Sequence, residues 1–232
     1  MHIVVTGASQ GIGAAIAESF AAEPGAKLSL MARNERNLNK VAERCRAAGA
    51  EVAVHLCDVT WDDQVEAVAD AILEMFGPPQ IVVNNAGKFR PATALEMDGA
   101  LLRKQFDENV VSALLVSQAF LPSMIEAQEG HLFFLGSVAS IGAYPGAAAY
   151  CAAKHGLLGL ARAIRSETRD EGVRVTTVLP GATWTPSWGD SPIPEQRMMP
   201  AQDVAAAIVA CASLGRRSVV EELLIRPQRG DV

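Results

Sequence analysis

The sequence predicts an α/β protein, a single doubly wound domain with helices on both faces of a seven-stranded parallel sheet. Three observations predict it. Seven short apolar, β-rich runs recur along the 232 residues, amphipathic stretches separate them, and the first run ends in a glycine-rich turn that opens a helix. Strands that alternate with helices are joined by crossovers, which makes them parallel and the connections right-handed. Runs this uniformly apolar suit strands covered on both faces.

The elements follow in order. Ile3-Val4-Val5 is the first strand, followed by a helix from about Gly11 to Ala22. Leu28–Met31 leads to a helix over about Glu35–Ala48, and Val52–Leu56 to one over Trp61–Phe76. In that third helix Val65, Val68, Ala69 and Ile72 mark one apolar face at helical spacing. Ile81-Val82-Val83 precedes a long helical region around Asp98–Ala127, and Leu132–Leu135 precedes a helix over about Ala147–Glu171. Val173–Leu179 and Val219–Ile225 complete the strands, with a helix Ala201–Leu214 between them. The chain shows no repeat, linker or low-complexity tract, so residues 1–232 read as one domain. Its irregular segment, Pro180–Pro200, is rich in Pro, Ser and Trp and reads as a binding flap over about 182–200.

Composition removes several classes of function. Half of the residues are hydrophobic and the net charge is −6, which fits a protein with a full core and excludes disorder. An acidic balance without a basic run argues against nucleic acid as partner. Cys45, Cys57, Cys151 and Cys211 are scattered, form no C-x-x-C pair and have no His at ligand spacing, so reduced thiols and no metal are expected. The segment Leu132–Ala153 lacks formal charge and has the length of a bilayer span, but its three glycines, proline, serines and tyrosines break it. With a glycine turn already at Gly7, no signal peptide is expected, and the chain reads as cytoplasmic without a membrane partner.

The first strand runs into Thr6-Gly7-Ala8-Ser9-Gln10-Gly11-Ile12-Gly13. Glycines on such a turn let the backbone approach a pyrophosphate, which then sits on the positive end of the helix. The spacing is G-x-x-x-G-x-G, and a tight turn that merely packs helix on sheet would use the same glycines. Further along, Tyr150-x-x-x-Lys154 puts a phenol and an ammonium on one helical face. A neighbouring cation favours phenolate and is expected to lower the tyrosine pKa. Ser137 falls just past the end of a strand, where ligands of open α/β sheets bind. Tyr144 has Ala148 at the equivalent position and lacks a cationic partner of that kind.

Together these motifs resemble the single-domain short-chain dehydrogenases/reductases over nearly the whole length. Thr6–Gly13 is similar to the family's glycine motif, Asp58-Val59 to the acidic turn after strand 3, and Asn84-Asn85-Ala86-Gly87 to its N-N-A-G motif. Asn109, Ser137, Tyr150 and Lys154 match its catalytic set. Pro180-Gly181, Thr183 and Thr185 match the segment around the nicotinamide amide. The resemblance implies a Rossmann-type sheet of order 3-2-1-4-5-6-7. It also implies cofactor contacts from Gly7, Ser9, Gln10, Gly11, Ile12, Gly13, Arg33, Asn34, Asp58, Val59, Asn85, Ala86 and Gly87. Tyr150 would exchange the oxygen-bound proton and Ser137 would hold the substrate oxygen. Lys154 would hold the nicotinamide ribose, and Asn109 a water of the proton relay.

Cofactor choice is written at the end of strand 2. Met31-Ala32-Arg33-Asn34 carries no carboxylate for a ribose 2′-hydroxyl, and a guanidinium fits a 2′-phosphate, so NADP(H) is expected over NAD(H). Many NADP-dependent relatives carry a basic residue in the glycine turn, where this chain has Gln10. Trp184 and Trp188 in the flap, Met198-Met199 at its close and Tyr144 suit a small apolar or aromatic carbonyl or alcohol. Reduction of 3-oxoacyl thioesters or oxidation of 3-hydroxy acids is the alternative within the family. Acidic residues such as Glu126, Glu129, Asp170 and Glu171 disfavour a carrier-protein substrate. A non-catalytic NADP(H) sensor or scaffold is the alternative outside it. A homodimer or homotetramer through Asp98–Ala127 and the alanine-rich Ala147–Glu171 is expected.

Overall fold

The computed structural model describes residues 1–189 and 191–230. Asp190, within the flap, and the terminal pair 231–232 lie outside the described residues. The strands of the main sheet are β1 (His2–Thr6), β2 (Lys27–Ala32), β3 (Glu51–Leu56), β4 (Ile81–Asn84), β5 (Gly130–Leu135), β6 (Val173–Pro180) and β9 (Glu222–Ile225). A two-residue pair, β7 (Thr183–Trp184) and β8 (Met199–Pro200), closes the base of the flap. The helices are α1 (Gly11–Ala21), α2 (Glu35–Ala47), α3 (Asp62–Phe76), α4 (Gly99–Phe106), α5 (Ser112–Glu126), α6 (Ala148–Thr168) and α7 (Ala201–Ala212). The sheet runs β3-β2-β1-β4-β5-β6-β9, all parallel, in the expected order.

Alternation along each strand builds the two cores. In β1, Ile3 and Val5 join one cluster with α1, α2 and α7, while Val4 joins another with α3, α5 and α6. Phe133 and Leu135 of β5 face the first cluster, and Leu132 and Phe134 face the second. Strand order reverses between β1 and β4, which pair Val4 with Val82, so the crevice beyond their carboxyl ends is the place for a ligand.

The long region expected at Asp98–Ala127 is a continuous helix with one π turn, Asp107–Val111, between α4 and α5. Its span Gly99–Glu126 is long and apolar enough to cross a bilayer. In the fold, however, Ala113, Val116, Phe120 and Met124 are inserted into the core beside the sheet. Helix α6 ends at Thr168 and tightens into a 3₁₀ turn over Arg169–Glu171. All four cysteines are buried and free.

Candidate active site

Thr6 and Asn85 knit the glycine turn to the end of β4. The Thr6 hydroxyl donates to the Val83 carbonyl at 3.2 Å and accepts the backbone N–H groups of Asn85 (3.1 Å) and Ala86 (3.0 Å). The Asn85 amide donates to the carbonyls of Thr6 (2.9 Å) and Gly7 (3.3 Å). Gly7 sits at φ +64°. A Cβ on Gly13 would lie 2.4 Å from both the Gly7 carbonyl oxygen and the Asn85 amide nitrogen, so only glycine fits. No side chain caps α1 at Gln10, which leaves its first N–H groups facing the crevice. Ile12 packs against the core behind the turn. Thr185 of the flap lies against Gly11, 3.1 Å from where a Cβ would be.

At the end of β2 the Arg33 guanidinium meets Asp58 at 3.2 Å, with Arg33 well exposed. Burial raises the Asp58 carboxyl, but hydrogen bonds from the Thr60 hydroxyl and N–H and from Arg33 outweigh it and hold the carboxyl below its ordinary range. The Asn34 side chain caps α2 by accepting the Asn37 N–H at 2.9 Å. Val59 is half-buried against the α3/α5 core.

Past the carboxyl end of β5, Ser137 opens a 3₁₀ turn over Val138–Ser140. Its hydroxyl accepts the Ala139 N–H at 3.1 Å, and its own N–H donates to the Ser140 hydroxyl at 3.2 Å. This reciprocal pair fixes the serine rotamer. Ser137 is hydrogen-bonded to the Tyr150 hydroxyl from the first turn of α6. One turn along, the buried Lys154 ammonium donates to the Leu135 carbonyl at 2.8 Å and lies 5.6 Å from the Tyr150 ring centre.

The expected lowering of the Tyr150 pKa is corrected by this geometry. Burial pushes the phenol up to about 12, against the opposing Ser137 hydrogen bond, and burial pulls Lys154 down to about 8. The ammonium is aimed at a carbonyl of β5 rather than at the phenol oxygen, so desolvation outweighs charge.

Asn109 sits in the π turn, 1% exposed. Its amide donates to the carbonyls of Lys88 and Gln105, both at 3.0 Å, and its oxygen accepts the Lys88 N–H at 3.3 Å. The extra residue of a π turn turns that side chain toward the segment after β4. Gly87 lies between the two groups, since a Cβ there would stand 2.7 Å from the Asn109 oxygen and 3.5 Å from the Lys154 nitrogen.

Sequence reasoning missed Phe89. Its half-exposed ring meets the Tyr150 ring edge-on at 5.1 Å. It also missed the bidentate Arg90–Glu108 pair, at 2.9 and 2.6 Å, which ties the same segment to the π turn. The only signal was position, directly after the N-N-A-G run. Tyr144 and Tyr150 both pack on Ala139, Ala147 and Cys151.

The flap residues divide. Pro180 ends β6 opposite Ile225, and the Gly181 N–H donates to the Ile225 carbonyl at 2.8 Å. The Thr183 hydroxyl donates to the Gly181 carbonyl at 3.0 Å. The Trp188 indole donates to the Thr183 carbonyl at 2.7 Å and so staples the flap to itself. Trp184 and Thr185 line a cavity of about 510 Å³ with Ser9, Gln10, Asn37 and Lys40, which places Trp184 on the glycine-turn side.

Comparison with known proteins gives the family. The family model described as short chain dehydrogenase matches residues 1–195. The sepiapterin reductase of Chlorobaculum tepidum is 34% identical over 99% of this chain and 97% of its own length. An alcohol dehydrogenase from the archaeon Thermococcus sibiricus, solved with 5-hydroxy-NADP, superposes with a TM-score of 0.91 at 30% identity, over 98% of this chain and 96% of that one. A metagenomic short-chain oxidoreductase solved with NADP gives a TM-score of 0.86 at 34% identity, covering 98% of this chain and 97% of its own. With a turn that only glycine fits at Gly13 and a serine, tyrosine and lysine gathered at the carboxyl end of β5, the chain belongs to the short-chain dehydrogenase/reductase family, NAD(P)-dependent oxidoreductases of Rossmann-type fold.

Proposed function

We propose that the protein is an NADP(H)-dependent carbonyl reductase or alcohol dehydrogenase for small apolar or aromatic substrates. The observation that carries this reading is the hydrogen-bonded Ser137–Tyr150 pair beside an uncapped, glycine-lined helix start. Glycine-turn backbone at Gly7, Ser9, Gln10, Gly11, Ile12 and Gly13, with Asp58, Val59, Asn85–Gly87 and Pro180–Thr185, would hold the dinucleotide. Bound there, NADP(H) supplies or takes up the hydride exchanged at the carbonyl carbon.

A phenol pushed up to about 12 keeps its proton at neutral pH, so Tyr150 enters carbonyl reduction as the acid. Its hydroxyl gives that proton to the substrate oxygen, while Ser137 donates a hydrogen bond where negative charge develops. The Lys154 ammonium, one turn along, then offsets the phenolate left behind and would hold the ribose hydroxyls of the bound cofactor. Asn109 holds the Lys88 backbone, next to the Gly87 that lies between it and Lys154, and in the proposed relay holds a water. Phe89 and Tyr144 form an aromatic wall next to the reacting hydroxyl, while Trp184 lies on the glycine-turn side and Trp188 braces the flap.

Arg33 is the reason for choosing NADP(H). An exposed ion pair such as Arg33–Asp58 is worth about 0–1 kcal/mol, so the guanidinium leaves it at little cost for the stronger fork to a 2′-phosphate. The NADP-bound neighbours support the same choice. For assembly we propose pairing through α4–α5 and α6, where exposed Ala152 and Ala163 and the open space at Gly159 permit close approach. The test is NADPH oxidation with a panel of ketones, diketones and aldehydes. Tyr150→Phe should cut turnover about 10²–10⁴-fold while NADPH still binds; full turnover in that variant removes Tyr150 as the acid.

A further inference from the structure

At the opposite end of the sheet from Ser137, Arg165, Arg169, Arg174, Arg216 and Arg217 surround one groove with Ser218. Arg165 and Arg169 come from the end of α6, Arg174 from the start of β6, and Arg216 and Arg217 from the turn between α7 and β9. Six residues of β5 separate this groove from Ser137, roughly 20 Å of strand. It is therefore distinct from the dinucleotide crevice. Five arginines line it in a chain whose net charge is −6.

The local carboxylates do not neutralise them. Arg165 pairs with Glu221, Arg169 with Asp170 at 3.5 Å, and Arg216 with Glu129 at 2.5 Å. Among the described residues Arg174 has no carboxylate in contact, and it donates instead to the Leu214 carbonyl at 2.9 Å and the Ala212 carbonyl at 3.5 Å. That anchors it half-buried on the floor of the groove. Burial and then the Arg216 charge both disfavour its cation, with Glu129 opposing them. Among the described residues, Arg217 makes no hydrogen bond or ion pair.

We propose that this groove is a binding site for a small phosphate, either inorganic phosphate or the phosphate end of a small ester. Planar guanidinium forks match the oxygens of a tetrahedral dianion, and an anion at this point relieves the repulsion between Arg174 and Arg216. Size decides the class. The cavity of about 180 Å³ has room for about six waters, which suits a phosphate with one or two waters or a short ester. Ligand pockets that enclose larger molecules run from about 300 Å³, so the groove is too small to enclose a whole nucleotide. Bound there, the anion joins the end of α6 to the turn before β9, and α6 carries Tyr150 and Lys154 at its other end.

The experiment is isothermal titration of the full chain with inorganic phosphate and with glycerol 3-phosphate. It is run at constant ionic strength with chloride as the balancing salt and saturating NADPH to fill the dinucleotide crevice. The expected result is saturable phosphate binding that Arg217→Gln and Arg169→Gln, both at exposed positions, each weaken about tenfold without changing NADPH affinity. Equal affinity for the two probes assigns the site to free phosphate, and tighter glycerol 3-phosphate assigns it to an ester. Binding unchanged in both variants, or no response beyond that of chloride, overturns the proposal, as does a dimer that shields these arginines and binds neither probe.

Discussion

Replacing Lys154 with methionine should make the dinucleotide-free protein more stable at neutral pH while abolishing its turnover. Burial lowers the ammonium from its ordinary 10.5 to about 8. At about 1.4 kcal/mol per pKa unit, the charged side chain costs the folded state about 3 kcal/mol. Methionine fills similar space without charge but leaves the Leu135 carbonyl without the 2.8 Å donor it now has, a loss of about 1 kcal/mol. The balance is a gain of about 2 kcal/mol, which for a domain of this size raises Tm by about 4–8 °C. The pH dependence supplies the sharper check. Because the folded pKa lies below the unfolded one, the unfolded chain binds more protons between about 8 and 10.5, and wild-type stability rises with pH across that window. The cost is fully present below about pH 8 and mostly relieved at pH 10, so the advantage of Lys154→Met should shrink to near zero there. Urea unfolding of both proteins at pH 7 and pH 10 measures this. A variant no more stable than wild type at pH 7, or an advantage of the same size at both pH values, would refute the claim that desolvation dominates at this site.

Arg33→Ala should raise the NADPH KM by tenfold or more, about 1.4 kcal/mol, and leave the NADH KM nearly unchanged; steady-state kinetics with both cofactors decide it. Phe89→Ala removes the ring that stands edge-on to Tyr150; an aromatic substrate seated beside it would lose a ring contact worth about 1 kcal/mol, so the KM for aromatic ketones should rise about fivefold and that for small aliphatic ones much less. Gly13→Ala drives a methyl into the Gly7 carbonyl and the Asn85 amide; a loss of about 1–3 kcal/mol in thermal unfolding and the disappearance of NADPH fluorescence enhancement are expected together.

Much of the active end was legible because its signals are local. Tyr150 and Lys154 share a helical face by spacing alone, and Ser137 follows a run too apolar to be anything but a buried strand. The crevice follows from the strand order that the family resemblance implied, whose switch point lies between β1 and β4. Asn109 was legible as a residue but not as a π-turn residue, because the extra amino acid in that turn leaves no mark in hydrophobic periodicity. Phe89 was missed for a related reason, in that a single ring after a motif carries no period at all.

The sequence by itself determined that the strands run parallel, that both faces of the sheet are covered, and which side chains lie at the carboxyl end of the sheet, while the strand order came with the family resemblance. Those features depend on periodicity and connection, which operate over a few residues. Only the tertiary structure decided that Lys154 faces the Leu135 carbonyl, that burial rather than charge sets the phenol, that Asn85 locks the glycine turn and that five arginines from three segments share one groove. Desolvation and convergence are properties of what the whole chain places around a group, and they exist only once distant segments have packed.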